Sequence, residues 1–243
     1  ADFGYDVICL LDELGLTRVH FCGLSLGGIV GLWLGQNAAD RVEKLALPVD
    51  DAIAIPALLF APARKPSGSR RIVLLDDRGK AAEAGESGLL GSLAQSGHTV
   101  LALDVRGIGE LGIAARLVGN SPIYQESMRA LLVGTSLPAI QTGDLLAALD
   151  SAQHLEGWGD GPVTILGKGN MGWIALFGAV LDQRIEGIAA EESLLSYMDI
   201  ARSPRNVYTI DLVLPGVLRR FDMPDLVAHL NDRRILLLNA RPP

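Results

Sequence analysis

Short apolar runs alternate along this chain with segments whose apolar residues recur at helical spacing. The apolar runs predict strands at 18–22, 42–47, 57–60, 71–76, 99–104, 163–166, 185–190 and 234–239. The helical spacing predicts helices at 3–14, from the Gly-rich turn to about 38, and at 81–96, 141–154, 173–181 and 222–231. Residues 105–135 predict an irregular excursion with some helix. Strands that alternate with helices favour an α/β fold with a doubly wound, mainly parallel sheet.

Composition supports a sheet that is buried on both faces. Of the 243 residues 49% are hydrophobic, and the mean hydropathy is +0.31. No apolar run reaches the roughly 18 residues that a membrane span needs, so we expect no membrane association. The net charge of −7 argues against a nucleic acid partner. The start of the chain has no signal peptide, which makes the cytoplasm the default expectation.

The sequence shows no metal-ligand cluster, and the chemistry considered below needs no cofactor. Cys9 and Cys22 match neither a metal nor a disulfide spacing, so we expect them to be packing residues.

Residues 23–27 (GLSLG) have the form of a nucleophile elbow. They follow the predicted strand 18–22 and lead directly into a helix-like segment, which is the context that the motif requires. The pattern predicts Ser25 as a nucleophile and the backbone N–H of Leu26 as a donor to an oxyanion. The alternative is a strand–turn–helix joint in which the serine only caps the helix.

A near-repeat links two parts of the chain. The order helix, strand, Gly-rich turn, helix, strand occurs at 3–47 and again at 141–190. In the second copy residues 167–172 (GKGNMG) stand where 23–28 stand in the first. Gly169 therefore occupies the serine position and offers no nucleophile.

Two stretches carry family resemblances. Residues 20–28 (HFCGLSLGG) with 40–45 (DRVEKL) resemble α/β-hydrolases of the 3-oxoadipate enol-lactonase type. The chain from about 55 onward resembles acetyl xylan esterase and dienelactone-hydrolase-like proteins, through residues 103–110 (LDVRGIGE), 167–172, 181–185 (LDQRI), 215–218 (PGVL) and 222–226 (DMPDL). In that family the elbow carries a serine, whereas this chain has Gly169.

These resemblances imply an α/β-hydrolase sheet with rearranged or incomplete topology. They imply an elbow-bearing α-β-α-β unit at 1–48 and a hydrolase-like domain at 55–243 that lacks its C-terminal end. We expect one compact body that arose by fusion.

The partners that a serine nucleophile needs are harder to find. A general base belongs in the loop after a terminal strand. The four histidines of the sequence all lie elsewhere, at His20, His98, His154 and His229. Asp76 and Asp77 end one strand, and the turn 77–79 is where a second oxyanion N–H would come from. The resemblance implies that Asp104 and Arg106 brace their loop through a charge-assisted pair.

Two functions follow from these features. The first is a serine hydrolase that cleaves small carboxylic esters or lactones through an acyl-enzyme on Ser25. The second is a catalytically silent α/β-hydrolase-like binding or fusion protein. A half-finished sheet edge further predicts a homo-oligomer, which could supply a histidine. A nucleotide-binding fold is disfavoured, because no G-x-G-x-x-G is followed by an acidic residue about 20 positions on.

Overall fold

The computed structural model describes residues 3–17, 19, 45–48, 53–62, 66–84, 88–112, 122–203 and 210–240. The chain divides into two compact units, Ala1–Ala46 and Leu47–Pro243. The origin of these units by fusion stays a prediction.

The described part of the first unit begins with helix α1, Phe3–Glu13. Leu11 lies on its buried stripe, whereas Phe3, Tyr5 and Leu10 are exposed. The predicted helix at 3–14 is confirmed to within one residue. The predicted strand 18–22 and the helix after it fall outside the described residues, apart from Val19. The strand predicted at 42–47 is observed as β1, Leu45–Pro48.

Within the described residues, the strands form a seven-stranded sheet of order β1-β2-β4-β3-β5-β6-β7. Its other members are β2 Ala54–Phe60, β3 Arg71–Asp76, β4 Thr99–Leu103, β5 Val163–Lys168, β6 Ile185–Glu191 and β7 Arg234–Leu238. Strand β2 pairs antiparallel with β4, and the pairs from β4 through β3, β5 and β6 to β7 are parallel. The predicted doubly wound, mainly parallel sheet is therefore confirmed.

Helices flank the strands of the second unit. They are α2 Leu89–Gln95, α3 Pro122–Leu132, α4 Leu137–Ala152, α5 Met171–Leu181, α6 Tyr197–Arg202 and α7 Met223–His229. Helix α4 begins earlier than predicted because Ser136 caps it, accepting a hydrogen bond from Ala139 N at 3.3 Å. Asp222 and Asp225 form a capping box that starts α7.

The prediction of one continuous helix at 81–96 is wrong. A 3-10 turn, Lys80–Glu83, is followed by the separate helix α2. Lys80 explains the break, because Asp104 binds both its backbone N–H and its ammonium group. The Glu83 carboxylate then accepts a hydrogen bond from Leu89 N at 3.3 Å, which links the two segments.

The core is centred on β3 and β4. Val73, Leu74 and Leu101 have no solvent exposure, because helices cover both faces of these strands. This burial explains why both strands appear in the sequence as continuous apolar runs. Within the described residues, no helix has the length and apolar character to cross a membrane.

Removing buried volume from β3 should destabilise the second unit strongly. We expect Leu74→Ala to lower the free energy of unfolding by about 2–5 kcal/mol, because it leaves a cavity between packed strands and helices. Urea unfolding followed by circular dichroism measures this. Leu132→Ala, at a position 81% exposed, is the control and should change the value by no more than about 0.5 kcal/mol. Equal effects of the two changes would contradict the assigned core.

Candidate functional site

Charged residues collect where the parallel strands of the second unit end. Asp77 follows β3, Asp104 follows β4, Lys168 ends β5 and Glu191 ends β6. Because these strands are parallel, their carboxyl ends lie along one edge of the sheet. In open α/β sheets this is the edge at which ligands bind. The described candidate site is therefore this carboxyl edge.

Ser25 and Leu26, with the whole elbow at 23–27, lie outside the described residues. Their roles as nucleophile and oxyanion donor stay predictions. His20 and Cys22 also lie outside the described residues.

The turn between β5 and α5 has the elbow-like form that the near-repeat predicts. Gly169 adopts a left-handed φ of +62° between the strand and the helix. Its N–H donates to the Glu191 carbonyl at 2.8 Å, and Ser193 Oγ donates to its carbonyl at 2.7 Å. These bonds fix the backbone of the residue that stands at the serine position.

A side chain at position 169 would require the Asp77 side chain to move. A Cβ built on Gly169 would overlap the carboxylate of Asp77, which reaches over from the end of β3. The chain around the turn is equally tight, since a Cβ on Gly167 would lie 2.7 Å from Gly172 Cα. Glycine at 169 is thus favoured by its left-handed φ, and a side chain there would displace the Asp77 carboxylate.

The Asp77 carboxylate also faces the start of α5. Asn170 N donates to Asp77 Oδ2 at 3.4 Å. In a nucleophile elbow the N–H after the nucleophile points at the developing oxyanion. Here that N–H faces a carboxylate, so this turn is suited to holding a positive or proton-donating group rather than an oxyanion.

A second carboxylate, Asp211, lies on the other side of Asn170. It accepts a hydrogen bond from Asn170 Nδ2 at 2.9 Å through Oδ2. Its Oδ1 is buried, with no hydrogen-bond partner in the described part of the chain. Burial raises the pKa of Asp211, and the nearby negative charge of Asp77 raises it further. The hydrogen bond from Asn170 lowers this pKa but does not cancel the rise. The two carboxyl groups of Asp77 and Asp211 can therefore hold a proton at the carboxyl edge of the sheet.

Lys168 is committed to ion pairs. Its ammonium lies 2.6 Å from Glu83 Oε1 and 3.3 Å from Glu191 Oε2. Burial lowers the pKa of Lys168, but the hydrogen bonds to both carboxylates outweigh burial and its pKa is raised. Hydrogen bonding from Lys168 lowers the pKa of Glu83, although burial opposes the change. Lys168 is thus held protonated and is a structural cation rather than a nucleophile.

Asp104 and Arg106 brace their loops, but through different partners from the one expected. Asp104 accepts hydrogen bonds from Lys80 N at 2.6 Å, Lys80 Nζ at 2.7 Å and Glu110 N at 2.9 Å. Arg106 instead pairs with the buried Asp144, with Nη2 2.6 Å from Oδ1. The single Asp104–Arg106 pair that the resemblance implied is thus replaced by two separate pairs, Asp104 with Lys80 and Arg106 with Asp144.

The described histidines lie away from the carboxyl edge, as predicted. His98 directly precedes β4, and its Nδ1 accepts a hydrogen bond from Arg70 N at 3.1 Å. His154 follows α4, and His229 ends α7 before β7. None of these three is placed to serve as a base at the ends of β3, β4 or β5. Within the described ranges, no three or more His, Cys, Asp or Glu side chains are grouped to hold a metal ion.

Sequence reasoning missed the cluster formed by Asp77, Asn170 and Asp211. Asp77 was visible as an acid after a predicted strand, and Asn170 as part of the Gly-rich turn. Asp211 gave no signal, because it belongs to a short 3-10 turn, Ile210–Leu212, without periodicity. Only the fold brings it to the turn after β5.

The raised pKa of Asp211 predicts a pH dependence of stability. The folded protein binds this proton more tightly than the unfolded chain, so the contribution is present at low pH and is lost as pH rises through the folded-state pKa. Asp211→Asn should therefore flatten the fall in the free energy of unfolding as the pH rises above the ordinary carboxyl pKa of about 4. Urea titrations across this range measure it. The exposed Asp232→Asn is the control, and an Asp211→Asn profile that parallels the wild type would contradict the assignment.

Comparison with known proteins gives short sequence matches to hydrolases. No protein-family model matches the chain. A 46-residue segment is 41% identical to 3-oxoadipate enol-lactonase 1 of Acinetobacter baylyi, covering 19% of this chain and 17% of that protein. An 82-residue segment is 39% identical to a protein assigned as carbamate hydrolase RutD of Caulobacter sp. (strain K31), covering 34% of this chain and 28% of that protein. The matches thus span less than a third of each relative.

Solved structures share the fold over most of the chain. A protein assigned as an acetyl xylan esterase of Bacteroides fragilis superposes with a TM-score of 0.68 at 18% identity, covering 80% of this chain and 58% of that chain. Acylaminoacyl peptidase of Pyrococcus horikoshii gives a TM-score of 0.55 at 13% identity, covering 83% and 37%. At these identities the likeness shows the fold alone. The described sheet therefore has the fold of the α/β-hydrolases, and the short matched segments are similar to hydrolases.

Proposed function

We propose that this chain is a serine hydrolase that cleaves small carboxylic esters or lactones through an acyl-enzyme on Ser25. The observation that carries the proposal is the 41% identity to 3-oxoadipate enol-lactonase 1 over 46 residues, together with the GLSLG motif at 23–27. Gly169 supports the assignment of Ser25 as the nucleophile, because it removes the other elbow-like turn from consideration. The Gly-rich turn after β5 has no side-chain nucleophile, so Ser25 is the elbow serine on which covalent chemistry depends.

The proposed reaction has two steps. Ser25 Oγ attacks the carbonyl carbon, and Leu26 N–H stabilises the oxyanion. The C–O bond to the leaving alcohol then breaks, and the alcohol takes up the proton that the serine hydroxyl has lost. Water then attacks the acyl-enzyme, which releases the carboxylic acid and restores the serine hydroxyl. In a lactone the leaving alcohol stays joined to the acyl group through its carbon chain, so the second step releases a single hydroxy acid.

Slow turnover is expected. The described histidines lie away from the carboxyl edge of the sheet, so none of them is positioned there as a general base. Serine hydrolases stripped of their triad retain about 10³–10⁴-fold acceleration over water from the oxyanion hole and binding. We therefore expect hydrolysis of activated esters rather than of unactivated ones, unless a second copy contributes an imidazole.

The second candidate, a catalytically silent binding protein, is favoured by one observation. Asp77 lies where a nucleophile at 169 would stand, and it faces the N–H of Asn170. A substrate oxyanion at this turn would meet a carboxylate and be repelled. On this reading the carboxyl edge binds a ligand without cleaving it.

One substitution separates the two candidates. We expect the wild-type chain to hydrolyse p-nitrophenyl acetate with saturation and to be labelled by a fluorophosphonate on the peptide that contains Ser25. Ser25→Ala should abolish the label and reduce turnover to the buffer rate. Ser92→Ala, an exposed serine of α2, is the matched control and should keep both.

Other outcomes decide against the proposal. Turnover that persists in Ser25→Ala would place the chemistry on another residue. A wild-type chain that is folded by circular dichroism, yet neither labelled nor active above buffer, would favour the silent binding protein.

A further inference from the structure

Strand β7 lies at one edge of the sheet, because within the described residues it pairs with β6 and with no other strand. Its side chains are exposed although they are apolar. Leu236, Leu237 and Leu238 are 53%, 42% and 41% exposed, whereas every residue of β4 is buried. An exposed apolar edge strand is a template for pairing with another strand. This edge is independent of the chemistry proposed for Ser25.

The contact with β6 shows which backbone groups of β7 point outwards. Glu192 N donates to the Leu238 carbonyl at 2.9 Å, so Leu238 directs its backbone groups towards β6. Because the direction alternates along a strand, Leu236 also faces β6, whereas Ile235 and Leu237 direct their N–H and C=O groups away from it. Asn239 then leaves the extended conformation, with a left-handed φ of +47°. The outward edge of β7 therefore consists of the backbone groups of Ile235 and Leu237.

These two residues are complementary to themselves in one antiparallel arrangement. A two-fold axis at Leu236 places Ile235 of one copy opposite Leu237 of the second copy, and symmetry repeats the pair. Residues paired in this way exchange both of their backbone hydrogen bonds. Leu236 then stands opposite Leu236 of the second copy as a close pair without hydrogen bonds. Any other register would need a partner for Ile235 or Leu237 from outside β7.

The charges near β7 favour the same arrangement. Glu191 of β6 stands beside Leu238, and the two-fold axis brings Arg234 of the second copy to the other side of Leu238. All three side chains then lie on one face of the sheet. Two strand spacings, about 10 Å, separate the backbones of Glu191 and this arginine, and the two long side chains together span that distance. Within the described residues Arg234 makes no ion pair, whereas Glu191 Oε2 lies 3.3 Å from Lys168 Nζ.

Apolar contacts extend the pairing beyond the strand. Leu237 lines a small apolar groove together with Leu195 and Val227. Ile235 of the second copy lies beside Leu237 and so adds to this apolar surface. Strand pairing of this length supplies only part of the about 1,200–2,000 Å² that stable interfaces bury, so the association is reversible.

We propose that two copies of this chain dimerise through β7 and continue the sheet across a two-fold axis at Leu236. Each copy carries a net charge of −7, which opposes association. At 0.15 M salt, charges more than about 8 Å apart are largely screened, so the local contacts at β7 prevail.

Sedimentation equilibrium at 0.15 M salt tests the dimer, from micromolar to submillimolar protein. We expect the average mass to rise from 25.8 kDa towards twice that value as the concentration increases. Leu236→Lys places two ammonium groups opposite each other, so the Kd of the dimer should rise at least about tenfold. Leu218→Lys, at a position 40% exposed outside β7, is the control and should leave the Kd unchanged.

Disulfide formation tests the register. Leu236→Cys would bring two thiols together in a pair whose Cα atoms are about 4.5 Å apart, which a disulfide can bridge. Leu237→Cys is the matched control, because its counterpart in the second copy is displaced along the strand. With oxidised glutathione, the 236–236 cross-link should form at least about tenfold faster than the 237–237 cross-link. Peptide mass spectrometry distinguishes both from disulfides of Cys9 and Cys22.

Three outcomes would overturn the proposal. The first is a chain that stays monomeric at every concentration, which leaves the edge to a different occupant. The second is a dimer that Leu236→Lys does not weaken, and the third is equal cross-linking at positions 236 and 237. Circular dichroism verifies that each variant is folded.

Discussion

The parallel pairing of β3 with β4 on one side and β5 on the other determines where the chemistry of the second unit can lie. Val73 stands opposite Leu101 and Ile165, so all three strands run in register through a core without solvent exposure. Because the strands point the same way, their polar end residues meet at one edge. The buried core holds the strands side by side. The charged residues at the strand ends are then close enough to form ion pairs and hydrogen bonds with neighbouring groups.

The charged residues at the two edges of the sheet make different kinds of contact. At the carboxyl edge, Asp104 is paired with Lys80 and Lys168 with Glu83, so these charges stabilise loops. Asp77 lies against Gly169, the glycine at the elbow position. This position therefore has an acidic group beside it and carries no nucleophile. At the amino edge, Arg71 stacks on Trp158 and donates a hydrogen bond to the Gly159 carbonyl. The carboxyl edge is suited to proton donors.

Much of this fold could be predicted from the sequence. Strands β3 and β4 were visible because parallel strands covered on both faces consist of uninterrupted apolar residues. The break at Lys80 was not, because it depends on a contact with Asp104, 24 positions away. The same limit applies to Asp211 and to Asp144, the partner of Arg106, because their contacts form only when distant segments meet. Ser25 could be predicted as a nucleophile because its motif is local, and that role stays a prediction.

The close packing of Asp77 on Gly169 is the central claim, and a double-mutant cycle measures it directly. Urea unfolding would compare Gly169→Ala, Asp77→Gly and the double variant with the wild type. The account predicts that Gly169→Ala is destabilising and that Asp77→Gly relieves part of the loss, with a coupling of about 0.5–3 kcal/mol. Additive effects, within about 0.5 kcal/mol, would show that Asp77 does not exclude a side chain from the elbow position.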